Sequence, residues 1–111
     1  MSYLSKCKRY KYKFPNFNPQ ILNLSKNTSA SNEYTQVTIT GYNFSFGSTI
    51  GRSTVNFGSY VNLPVTFYGS TAISFVVPIN AVPGNYSIQV VNLLYPTSLY
   101  SNQVTYILTQ S

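Results

Sequence analysis

The apolar residues of this chain recur at every second position between turn signals, and no stretch carries them at the 3.6-residue spacing of a helix. In TQVTIT, residues 35–40, Val37 and Ile39 fall on one face of a run rich in β-branched residues, as a half-buried strand requires. The same alternation puts Val55 and Phe57 together in STVNFG, Val65 and Phe67 in LPVTFYG, and Ile73, Phe75 and Val77 in AISFVVP. It continues with Tyr86, Ile88 and Val90 in NYSIQVVN, and with Val104 and Tyr106 in SNQVTYIL, where Ile107 and Leu108 extend the run. Ile21 and Leu24 lie in a first extended segment. Pro64 predicts that its strand lies at a sheet edge or starts late, because proline cannot donate to the ladder. About seven short strands with Gly/Pro turns predict an antiparallel sandwich or barrel with almost no helix.

The chain has 111 residues, which predicts one domain with a single packed core. Cys7 is the only cysteine, so no intrachain disulfide can form, and the core alone must hold the fold. Charged residues are only 7% of the chain, far below the roughly 25% of an ordinary soluble domain. Such a surface suits a part that works packed against others, or it reflects a biased genomic base composition. The net charge of +6 is uneven. Lys6, Lys8, Arg9, Lys11 and Lys13 crowd the first 13 residues, while the remainder carries Lys26, Arg52 and Glu33, a net charge of +1. The expected organisation is a basic, tyrosine- and lysine-rich arm over residues 1–18 and a β-sandwich over 19–111. The N-terminus has no apolar segment of the secretory kind, and no apolar run approaches the ~20 residues of a membrane span. The expectation is a complete small protein, not secreted by a signal peptide, without membrane insertion and assembled inside the cell.

Several blocks, in order, carry a family likeness: PQILNLS, VTITGYNF, STVNFG, AISFVVP, VPGNYSIQVVN and SNQVTYI. Together they resemble the IPT/TIG domain over about residues 19–108, with ITGYNF, Ile39 to Phe44, the most specific piece. The resemblance implies an immunoglobulin-like, Greek-key β-sandwich of about seven antiparallel strands. It also implies that the signature residues build the fold and do not perform chemistry. Gly41 suits a positive φ or a tight bend, Asn43 a side-chain bond to its neighbouring backbone, and Phe44 a plug at one end of the sandwich.

Catalytic chemistry finds little support. The chain has no histidine and one carboxylate side chain, Glu33, so no pair for general acid–base work exists. No ligand cluster for a metal appears, and no cofactor is expected. The glycine-rich GSTIGRS, residues 47–53, lacks the Gly-Lys-Ser/Thr ending of a phosphate loop and reads as a connection between strands. Eleven tyrosines are many for this length. Tyr34, Tyr42, Tyr60, Tyr68, Tyr95 and Tyr100 fall near strand ends or in loops, where they either cap the sandwich or present contact area to a protein partner or a sugar.

From Arg9 to Phe14 the arm alternates basic and aromatic residues. In an extended chain Arg9, Lys11 and Lys13 point one way, and Tyr10, Tyr12 and Phe14 the other. Such a ribbon can add to a neighbour's sheet edge, lie on nucleic acid with Lys and Arg on phosphates and Tyr on bases, or remain a solvated tail. Lys6, Lys8, Arg9, Tyr10, Lys11, Tyr12, Lys13 and Phe14 are the expected partner-binding residues. Fully extended, 18 residues reach on the order of 60 Å, enough to span to another subunit. The leading expectation is a non-enzymatic structural or assembly module that binds other protein subunits, with a minor capsid, decoration or spike component of a virion as one concrete form. The alternatives are nucleic-acid binding through the arm alone, and cell-surface adhesion or carbohydrate binding, which the lack of a signal peptide disfavours. Both alternatives occur in members of the family that the chain resembles.

Overall fold

A computed structural model describes residues 18–46, 52–93 and 97–110. Among them there is no helix, and ten strand segments form two sheets. In chain order they are β1 (Gln20–Leu24), β2 (Thr28–Ala30), β3 (Gln36–Tyr42), β4 (Ser53–Phe57), β5 (Tyr60–Leu63), β6 (Thr66–Gly69), β7 (Ala72–Val76), β8 (Gly84–Asn92), β9 (Leu99–Tyr100) and β10 (Val104–Thr109). One sheet has the order β1-β3-β7-β6 and the other β2-β10-β8-β4-β5, with β9 also paired to β8. These are the A-B-E-D and G-F-C orders of the immunoglobulin sandwich, with β5 added beside the C strand and β2 beside the G strand. The β2 strand runs parallel to β10, so this one pair departs from the expected antiparallel arrangement.

The alternation read from the sequence is what packs the two sheets together. Val37 and Ile39 from β3, Val55 and Phe57 from β4, Ile73 and Phe75 from β7, and Ile88 and Val90 from β8 are all buried in one core. The rings of Phe57 and Phe75 meet across the sandwich, 5.9 Å between centroids. In β10, Tyr106 and Leu108 face the core, but Ile107 is exposed on the outer face. The period of two forces that outcome, since neighbours in a strand cannot share a face.

Three expectations need correction. LPVTFYG is not one strand: the chain breaks at Pro64 and Val65, so β5 belongs to one sheet and β6 to the edge of the other. Proline's missing donor suits that crossing point. Gly41 has no positive φ. It is glycine because a Cβ there would lie 1.8 Å from the Gln20 carbonyl oxygen of the paired strand. The last strand is also interrupted: β9 and β10 pair with β8 on either side of residues 101–103. In that break Ser101 bonds the Val90 backbone with both its N–H and its hydroxyl.

At the opposite corner Tyr86 stacks on Phe57, 4.5 Å between centroids, and its hydroxyl donates to the Val82 carbonyl. This is the tyrosine corner of immunoglobulin-type sandwiches, a tyrosine near the start of the F strand bonded to backbone a few residues upstream.

Candidate protein-interaction site

The strand order brings four separate parts of the chain to one end of the sandwich: the start of β1, the β3–β4 loop, the β6–β7 turn and the β8–β9 loop. The described residues begin here, at Asn18, the last residue of the expected arm. A series of amide and hydroxyl groups ties these parts together. Asn18 Nδ2 donates to the Tyr100 carbonyl at 3.2 Å, and Asn43 Nδ2 donates to the Asn18 carbonyl at 3.0 Å. Asn92 Nδ2 donates to the Asn43 carbonyl at 2.8 Å, and the Ser53 hydroxyl donates to Asn92 Oδ1. Ser53 Oγ in turn accepts the Ser45 N–H at 2.8 Å. Asn92 and Ser53 are fully buried, and a satisfied buried network of this kind fixes one arrangement of the loops that share it.

Local backbone needs explain the residue choices. Asn43 sits at φ 65°, a left-handed conformation that asparagine tolerates better than most residues. Its side chain reaches back to Asn18, so the expected role in a local turn becomes a tie to the root of the arm. Phe44 is buried and plugs this end as expected, with its N–H bonded to the Ser70 carbonyl. Asn92 and Ser53 were missed as site residues. Their positions are legible afterwards: each continues the inward face of its strand, and the two are paired in register.

Around this network the surface is aromatic. Tyr42 and Tyr100 are about half exposed. Phe46 is exposed and rests its ring near that of Phe67, 5.4 Å between centroids. Of the other tyrosines, Tyr68 is exposed in β6 next to the β6–β7 turn, Tyr34 is exposed between β2 and β3, Tyr60 is half-buried beside the β4–β5 turn, and Tyr95 lies outside the described residues. The arm residues Lys6, Lys8, Arg9, Tyr10, Lys11, Tyr12, Lys13 and Phe14 also lie outside the described residues.

Charge separates along the molecule. Arg52, at the start of β4, stands at the arm-bearing end. The five basic residues of the first 13 lie outside the described residues. Glu33, the only acidic side chain, follows β2 toward the other end. Among the described residues no cluster of His, Cys, Asp or Glu could hold a metal. No helix among them is long and apolar enough to cross a membrane.

Comparison with curated proteins yields no match. Residues 19–106 match the family model of the IPT/TIG domain. Domains of this family are typically non-enzymatic, immunoglobulin-like modules that mediate protein–protein interactions. The sandwich, its tyrosine corner and the matched span together place this chain in the IPT/TIG domain family.

Proposed function

We propose that the protein is a structural module of a larger assembly, held there by its basic arm together with the loops at the arm-bearing end. The observation that carries this reading is the Asn18–Asn43–Asn92–Ser53 network, which ties Asn18 to the β3–β4 loop and to the ends of β8 and β4, beside the exposed Tyr42, Phe46 and Tyr100. Exposed aromatics on a rigid base give large contact area at small entropic cost. The nearly uncharged outer faces fit a component packed against neighbours. A minor capsid, decoration or spike component, assembled inside the cell, is the concrete form of this reading.

The test is co-purification. The protein should appear in purified particles or complexes at fixed stoichiometry, and a chain lacking residues 1–17 should be lost from them. Absence from particles would remove the viral form. Oligonucleotide binding by fluorescence anisotropy is the counter-test: arm-dependent binding that falls steeply with salt would put a nucleic-acid partner first.

A further inference from the structure

Beside the arm-bearing end lies a pocket of about 290 Å³ lined by Arg52, Thr54, Asn62, Pro64, Val65 and Leu93. We propose that this pocket is a binding site for a carboxylate, taken from an acidic side chain on the surface of a protein partner. The proposal rests on the interaction-module reading above and names the chemistry of the partner.

The donor set is built into the fold. Arg52 supplies a guanidinium, always charged and shaped for a carboxylate. Asn62 sits at φ 58°, where β5 bulges against β4. The Asn56 side chain accepts the Asn62 N–H at 2.9 Å and holds that backbone in place. The Asn62 side-chain amide then stands beside Thr54. The Thr54 hydroxyl is buried, yet its contacts are long: 3.4 Å to Asn62 Oδ1 and 3.5 Å to the Val91 carbonyl. A hydroxyl normally donates at about 2.7–2.8 Å, so this one is available for a better acceptor. Pro64, Val65 and Leu93 form an apolar wall for the methylenes of an incoming side chain.

Size and charge choose among anions. The pocket falls at the lower end of the ~300–1,000 Å³ of small-molecule sites, which suits one side chain and not a nucleotide. One guanidinium matches a monovalent carboxylate, whereas a phosphate dianion calls for a second cation, and among the described residues Arg52 is the one cation that lines the pocket. The chain's net charge of +6 also favours an acidic protein surface over a neutral or basic one.

The experiment is an NMR titration of the ¹⁵N-labelled full chain with N-acetyl-glutamate methylamide. The uncharged N-acetyl-glutamine methylamide and inorganic phosphate serve as comparisons at matched ionic strength. The glutamate probe should give saturable shifts at the amides of Arg52, Asn62 and Leu93. The glutamine probe should bind about tenfold more weakly, as should the glutamate probe to Arg52→Gln, in keeping with loss of one charge-assisted hydrogen bond. Thr54→Val should weaken the glutamate probe severalfold. Equal binding of the two amino-acid probes, tighter binding of phosphate, or no saturable shift at these amides would each overturn the proposal. No partner is needed for this measurement, so its failure is separate from a failure to find the protein in an assembly.

Discussion

The side-chain amide of Asn102 bonds both backbone groups of Ile21, donating to the Ile21 carbonyl at 3.0 Å and accepting the Ile21 N–H at 2.8 Å. Asn102 lies in the break between β9 and β10, and Ile21 lies in β1 of the other sheet. The amide therefore acts as a piece of backbone that closes one side of the sandwich. Asn102→Ala should cost about 1–2 kcal/mol, the sum of two bonds partly open to water. Urea denaturation should show a lower midpoint with an unchanged slope. An unchanged midpoint would mean that water replaces the amide without loss.

Gly41→Ala should be far more damaging. The added methyl would meet the Gln20 carbonyl oxygen at 1.8 Å and the Phe44 ring at 2.9 Å, so β1 must leave β3 or the plug must move. The expected cost is at least about 3 kcal/mol, at the top of the range for overpacking. Thermal melting should fall by roughly 10 °C or more. Amide exchange should speed up at Ile21. A variant that melts like the parent would show that β1 is not held as described.

The tyrosine corner separates a hydrogen bond from ring packing. Tyr86→Phe keeps the stack on Phe57 and loses the bond to the Val82 carbonyl, for about 0.5–1.5 kcal/mol. Gly58→Ala should cost more than Tyr86→Phe. It imposes a side chain at φ 59° and drives a Cβ to 2.5 Å from the Tyr86 ring. Paired denaturation curves check the order, and the reverse order would refute this account of the corner.

Stability should fall at high pH through Tyr106. Burial raises its pKa above the usual tyrosine value, against a smaller opposing effect of its hydrogen bond to Ser29. The folded protein then holds this proton more tightly than the unfolded chain. The stabilisation is complete below about pH 10, where the unfolded tyrosine titrates. It is lost as pH rises through the folded pKa. Tyr106→Phe should flatten this alkaline decline even as it lowers stability near neutrality by leaving Ser29 without its 2.7 Å partner. A decline of the same steepness in the variant would assign it to other groups.

The strands and their buried faces were legible because a period of two is a local property, visible wherever one face is apolar. Ile73, Phe75, Ile88 and Val90 needed nothing more. The 63–69 run misled because it alternates correctly yet crosses between sheets, and alternation cannot register a change of sheet at Pro64. Gly41 was legible as special but not in its reason, since the atom that excludes its Cβ belongs to a residue 21 positions earlier.

By itself, then, the sequence determined the fold class, the family likeness, the poverty of catalytic groups and the concentration of charge in the arm. All of these depend on residue identity and short-range spacing. Only the tertiary structure decided which loops surround the root of the arm, that Asn18, Asn43, Asn92 and Ser53 form one network, and that Arg52, Thr54 and Asn62 line one pocket. These groups come from distant parts of the chain. A Greek-key strand order brings them together through burial of a core made mostly of other residues.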